Sequence, residues 1–327
     1  MSPYQPTLHR LAIATAVLAL LPITVGALVT TMKWGMAFLD YPTSDGHNML
    51  LYPWLKSASD KFTEHGHRLA GMLIGIVSAG LMVVAWMKES RGWVKVAATI
   101  IPFCVLLQGL LGGARVLADD ERMAMFHGSF AAVVFTLMAA VAMWTGRRWI
   151  ELSGDAAEAE SDRRLKPLAF ALPFVVFGQY LLGGALRHLG TMLHEHIGMA
   201  VIASLFAILV AVQGMRSGVP MLRRSAGLIL AVLLAQVALG IGSYVTKFGF
   251  ATWGVVAVQH SLPQVVFRTS HTVVGMLLLT AAVLHALRVA RVAEFARRTD
   301  CRSVRSIVEF VPGRTDYKSV LPKGGAR

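Results

Sequence analysis

The sequence predicts an all-α polytopic membrane protein with eight transmembrane helices, arranged as two pseudo-symmetric four-helix bundles. Three observations predict it: charge is depleted in long apolar runs, eight runs have membrane-crossing length, and two short motifs alternate along them. The 327 residues are 55% hydrophobic and only 15% charged, whereas about a quarter of a soluble domain is charged. The charges cluster between the apolar runs, which is the pattern of a polytopic protein. The formal net charge of +13 does not indicate nucleic acid. The basic residues sit in loops and a tail, with no face interleaved with aromatics, so membrane lipid is the expected partner.

Taken in order, the spans cover approximately residues 11–31, 65–87, 93–113, 125–145, 167–186, 193–213, 225–246 and 269–290, each near the length needed to cross a hydrocarbon core. The first run could serve as a signal peptide, but its length and the apolar runs behind it favour a retained helix. With the N-terminus inside, 22 of the 31 Lys and Arg fall in inner segments. The positive-inside rule then predicts a plasma-membrane protein with both termini cytoplasmic. The chain divides into an N-terminal half (1–150), a polar cytoplasmic linker (151–166), a C-terminal half (167–295) and a basic tail (296–327). The tail has little apolar periodicity and is expected to be disordered or to bind the membrane surface. Cys104 lies in an apolar run and Cys301 in the tail, so no disulfide framework is expected.

The odd-numbered spans share one motif: Gln108-Gly-Leu-Leu-Gly-Gly113, Gln179-Tyr-Leu-Leu-Gly-Gly184 and Gln236-Val-Ala-Leu-Gly-Ile-Gly242, with a weaker echo in Pro22-Ile-Thr-Val-Gly26. The even-numbered spans share a histidine with a small residue four positions on: His67 with Gly71, His127 with Ala131, His196 with Ala200 and His271 with Gly275. The glycines serve either close helix packing or room for a flat macrocycle, and the sequence alone leaves both open.

Each repeat histidine starts an outside-to-inside span, so all four share a depth near the outer face. Ionisable residues there are costly and usually functional. Zinc would call for more thiolates or carboxylates at ligand spacing. Haem iron instead takes axial imidazoles from opposite faces, which two facing helices can supply. Two halves then give two sites, His67 with His127 and His196 with His271. His194 is the alternative to His196, two residues away and so on another face. His271 and His285, fourteen residues apart, share a face, but the equivalent positions Leu81, Val141 and Val210 cannot ligate. A stacked two-haem arrangement is therefore set aside, with His285 read as an inner-interface residue. His47, His188 and His260 are read as outer-loop residues, and Arg187 as a contact for a haem propionate.

The halves differ in their acids. Glu64 lies three residues before His67 on nearly the same face, with Arg68 following. It is either a helix N-terminal charge or a group that handles protons beside a haem. Glu195 precedes His196 on a different face, and no acid lies near His271. The N-terminal site is thus expected to do chemistry and the C-terminal site to carry electrons.

These residues resemble the haem A synthases. The resemblance rests on Glu64-x-x-His67-Arg68, the Gln-x-x-Leu-Gly-Gly runs, the four repeat histidines, Gly35-Met36-Ala37-x-x-Asp40-Tyr41-Pro42 and Gly184-Ala-Leu-Arg-His188, and covers roughly residues 11–290. It implies oxidation of a haem O methyl group, through an alcohol, to the formyl group of haem A. His67 and His127 would hold the substrate haem with Glu64 assisting, and His196 and His271 a haem b for electron transfer. Haem O synthase and a terminal oxidase are the implied partners, besides an electron donor that the sequence does not identify. The chain departs from some bacterial members in lacking a cysteine pair in the outer loops, and its loops after the third and fifth spans are short. The alternative from a different class is a b-type membrane cytochrome that carries electrons without modifying haem.

Overall fold

A computed structural model of the chain describes residues 3–151 and 165–309. The architecture is helical, with no strand among the described residues. The helices are α1 (Pro6–Met32), α2 (Ser59–Lys88), α3 (Gly92–Ala118), α4 (Glu121–Thr145), a single turn α5 (Arg147–Ile150), α6 (Leu165–His188), α7 (Leu193–Arg216), α8 (Pro220–Phe248) and α9 (Leu262–Glu309). Eight of them, all but α5, are long and apolar enough to cross a membrane. The helices overrun the expected spans because polar residues continue the backbone ladder beyond the apolar stretch. Asp60 opens α2 and Lys88 closes it, charges that suit the two ends of the helix dipole.

Local signals set the boundaries. Prolines begin α1 and α8, where the missing N–H costs nothing. Asp120 caps α4 by accepting from the backbone N–H of Arg122 and Met123, so α3 and α4 are joined by only two residues. Pro22, Pro102 and Pro173 lie inside α1, α3 and α6, a placement that packed transmembrane helices tolerate.

The helices form two rings of four. In one, α1 packs on α2 and α4, and α3 on α2 and α4; in the other, α6 packs on α7 and α9, and α8 on α7 and α9. The rings meet through α1, α4, α6 and α9, and α4 and α9 are the most buried spans. At their crossing the Thr136 and Thr280 hydroxyls lie 3.0 Å apart, one of the polar contacts that fasten helices where apolar packing gives little preference.

Two boundaries differ from expectation. The last helix does not stop near residue 290 or at the tail boundary of 296 but continues to Glu309. Its backbone is helical over the first part of the segment expected to be disordered. Most of the linker, residues 152–164, and the tail from 310 lie outside the described residues. All four repeat histidines fall at one end of the bundle, called the histidine end below.

Candidate functional site

Two histidine pairs stand side by side at the histidine end. His67 of α2 faces His127 of α4 with ring centres 6.2 Å apart and planes at 84°. His196 of α7 faces His271 of α9 at 6.2 Å and 86°. The two pairings expected from the sequence are the two that the fold brings together. His196, not His194, is the inward residue: His194 is exposed, while His196 packs against α6.

Each histidine is seated on a glycine of the preceding span. A Cβ at Gly26 would lie 2.7 Å from the His67 ring, at Gly112 3.3 Å from His127, at Gly183 3.1 Å from His196 and at Gly240 2.9 Å from His271. This gives the odd-span motif a specific meaning. One glycine of each motif receives the imidazole of the next helix. The other admits a packing side chain: Tyr41 at Gly113, Met125 at Gly184 and Phe267 at Gly242.

The motif also orients the rings. His67 Nδ1 lies 2.9 Å from the Pro22 carbonyl, and His271 Nδ1 3.1 Å from the Gln236 carbonyl. An Nδ1–H donated to a carbonyl leaves Nε2 with its lone pair free, the tautomer that a metal ligand needs. The motif glutamines contribute too. The Gln108 amide donates to the His127 carbonyl at 3.0 Å and the Gln179 amide to the His196 carbonyl at 3.0 Å. The side-chain oxygens of Gln108, Gln179 and Gln236 are buried without a hydrogen-bond partner. Such an orphan acceptor costs about 1–3 kcal/mol, and three at equivalent positions mark a place built for something else.

Around the first pair lies a charged clamp. Glu64 is 3% exposed. Its carboxylate accepts from Arg68 Nη2 at 2.8 Å and from the Ala37 backbone N–H at 2.9 Å. Arg68 also donates to the carbonyls of Asp40 and Thr43, and Arg115 of α3 to that of Gly35. Together they fasten the long connection between α1 and α2 over the histidine end. His65 completes the fastening: it is 1% exposed, 3.1 Å from the Ser44 hydroxyl and packed on Tyr52. The sequence reading gave no role here to His65 or Arg115, and it quoted Tyr41 only as part of a family-like segment. The second glycine of the Gly112-Gly113 pair was the available signal for Tyr41.

The second pair has no acid of this kind. Arg187 lies between the rings, where it donates to the Ala27 carbonyl at 2.5 Å, the Thr31 hydroxyl at 2.9 Å and the Thr272 hydroxyl at 2.9 Å. All three acceptors are neutral, so among the described residues this cation has no carboxylate partner. His188 is not a loop residue: it ends α6 and faces Gly128, next to His127. Glu195 is exposed. His285 is buried at the opposite end against the Ser225 hydroxyl, 2.7 Å away, in keeping with an inner-interface reading.

Among the described residues no group of three or more His, Cys, Asp or Glu gathers to hold a metal. Each site offers two imidazoles in a glycine-lined setting. No curated protein matches the chain. From the loop before α2 to the first turn of α7, residues 54–196 are similar to the family COX15-CtaA, described as cytochrome oxidase assembly protein.

Proposed function

We propose that the protein is a haem A synthase. It would oxidise a methyl group of haem O through an alcohol stage to the formyl group of haem A, for a terminal oxidase. The observation that carries this reading is the pair of matched histidine couples in unequal surroundings, in a chain of which residues 54–196 resemble a family described as cytochrome oxidase assembly protein. The matched stretch includes Glu64, His67, His127, Arg187 and His196.

The residues fit haem on geometric grounds. A metal ion held by one imidazole nitrogen on each side, at about 2 Å with about 1 Å more to each ring centre, would need ring centres about 6 Å apart. Both pairs stand at 6.2 Å. Two imidazoles would complete the coordination of an iron already held by a porphyrin. The half-buried, acid-free Arg187 suits a propionate, and the orphan glutamine oxygens suit polar edges or water at the macrocycle.

In this reading His67 and His127 hold the substrate haem, and His196 and His271 hold a haem b that supplies electron transfer when bound. Glu64 keeps Arg68 and the long loop in place beside the substrate. It is the only buried carboxylate near the first pair among the described residues, and so the candidate to accept a proton there. The lysine and arginine distribution supports both termini in the cytoplasm, and a plasma-membrane location belongs to the same proposal. Haem O synthase as supplier and a terminal oxidase as recipient complete the reading.

One observation favours a second reading. Both Glu64 oxygens are already engaged, by Arg68 and by Ala37, which suits a structural clamp in a b-type cytochrome that carries electrons only. Co-expression with a haem O source, followed by pigment extraction and chromatography, separates the two. Haem A or its alcohol precursor is the expected product. Unchanged haem O beside haem b would overturn the enzyme reading.

A further inference from the structure

The long connection between α1 and α2 has two unlike parts. The first is polar. Asp40 accepts from the backbone N–H of Asp45 and Gly46, and Lys61 of α2 pairs with Asp45 at 2.5 Å. The second part, residues 49–56, is apolar and turns its leucines outward. Leu50, Leu51 and Leu55 are 70%, 77% and 83% exposed. A single exposed leucine is ordinary, but neighbouring ones on a short loop mark a contact surface.

The height of this segment along α2 identifies the contact. Trp54 opens a short 3-10 turn, Trp54–Lys56. Its ring stacks on Phe62 at 4.9 Å, and its indole N–H donates to the Phe62 carbonyl at 2.7 Å. A Cβ at Gly66 would lie 3.2 Å from the same ring. Phe62 and Gly66 begin one face of α2 that continues at helical spacing through Leu69, Leu73, Ile76 and Val83. Leu73, Ile76 and Val83 are exposed. Among the described residues α2 packs only on α1, α3 and the 3-10 turn, so this face looks away from the second ring, into the bilayer. Near the other end of α2, the exposed Trp86 has the Lys95 ammonium over its ring at 5.4 Å, the aromatic and basic pairing of a membrane boundary. From Trp86 back to Gly66 the helix rises about 30 Å, the thickness of a hydrocarbon core. Trp54 thus marks the opposite boundary, and the leucines beside it stand at the edge of the acyl chains.

We propose that residues 49–56 form an interfacial anchor that inserts Leu50, Leu51 and Leu55 into the phospholipid leaflet at the histidine end. The exposed Lys56 stands beside the lipid phosphates. Apolar groups of such anchors reach about 5–10 Å into the boundary between headgroups and acyl chains. A cleft of about 400 Å³ between the segment and α2 reaches down to Leu69, at the top of the lipid-facing stripe, and gives room for the upper part of one phospholipid. The loop is then held from two sides. Glu64, Arg68 and Arg115 fasten its polar part to the protein, and the leucines fasten its apolar part to the membrane. His65 joins the two, touching Ser44 on one side and Tyr52 on the other. Insertion depends only on the helices crossing a bilayer, whatever the histidine pairs hold.

The test places a nitroxide label at one loop position at a time. The full-length protein carries Cys104→Ser and Cys301→Ser, with either Leu55→Cys or His47→Cys, and is studied in phosphatidylcholine nanodiscs. Both positions are exposed, so neither substitution disturbs a core. Collisions with oxygen, which concentrates in lipid, are compared with collisions with a water-soluble nickel chelate. The label at position 55 is expected to favour oxygen at least fivefold over the label at position 47, which lies in the polar part of the loop. Equal access of the chelate to both positions overturns the proposal. So does spin–spin broadening at position 55 that appears only with two copies per disc, because a second copy would then cover the leucines. In parallel, Leu50→Ser, Leu51→Ser and Leu55→Ser are combined. Proteolysis of the loop in nanodiscs should quicken at least fivefold while the melting temperature of the helices stays unchanged. An unchanged rate of cleavage overturns the anchor.

Discussion

The two rings hold histidine pairs of the same spacing but treat their surroundings differently. At the first pair a long loop is fastened by Glu64, Arg68, Arg115 and His65, and the space beside Gly71 is open. At the second, the connection between α6 and α7 is short, Gly275 is packed by Gln236 and Tyr180, and the half-buried Arg187 has no carboxylate partner among the described residues. A closed, rigid site suits a resident group that only exchanges electrons. A site with an open flank beneath a fastened loop suits a group that must enter, react and leave. The lesson is that a repeated motif fixes the histidine spacing while the connections around it make the two surroundings unequal.

The largest effect should come from unseating one histidine. Gly26→Leu drives a side chain into the His67 ring, which lies 2.7 Å from the Cβ position. It should lower the first pigment at least tenfold and spare the second. Gly240→Leu, where the distance to His271 is 2.9 Å, should do the reverse. Absorbance and extracted haem check both, and loss of both pigments in either variant would break the picture of independent sites. Next comes the clamp. Glu64→Ala leaves Arg68 buried and unpaired, which costs about 3–5 kcal/mol and should appear as a lower melting temperature and early proteolysis of the long loop. Glu64→Gln, which keeps an acceptor for Ala37, sharpens the question. Retained pigments with lost turnover would assign Glu64 to proton handling, and retained turnover would leave it a clamp.

A smaller effect is expected where the rings meet. Thr136→Val removes the contact with Thr280 and should cost about 0.6 kcal/mol, the usual scale for such bonds in membranes, visible only in thermal unfolding. The smallest concerns the loop's own turn. Burial acts to raise the Asp40 pKa, but hydrogen bonds from Thr43 and from the backbone N–H of Gly46 and Asp45 outweigh it and hold the carboxyl below its usual value. A lowered folded pKa contributes stability above the ordinary aspartate value of about 3.9 that is lost as pH falls through the folded value. Wild type should therefore lose loop protection against proteolysis on acidification in that window. Asp40→Asn should flatten the dependence.

Much of this was legible in the sequence because periodicity and repeats report directly on it. Eight apolar runs became eight helices, and four histidines at one repeat position met as the expected pairs. His196 separated from His194 because only one of two residues two apart can face the bundle. The clamp was less legible. Glu64 and Arg68 were visible as neighbours, but their bonds to Ala37, Asp40 and Thr43 depend on a loop path that carries no period. Arg115 and Tyr41 act across 80 and 72 residues of chain, on Gly35 and Gly113 respectively. The extent of the last helix was misjudged because apolarity stops near residue 290, while backbone hydrogen bonding needs no apolar face to continue to Glu309. The division of the motif glycines into histidine seats and packing seats needed coordinates, since the same residue serves both.

The central claim is that each histidine pair holds its own haem. The most direct measurement is pigment extraction and chromatography on the purified protein, comparing wild type with His67→Ala and His271→Ala. The account predicts that His67→Ala loses the first-site pigment and keeps haem b, and that His271→Ala loses haem b and keeps the first-site pigment. Loss of the same single pigment in both variants, or of neither, would contradict it.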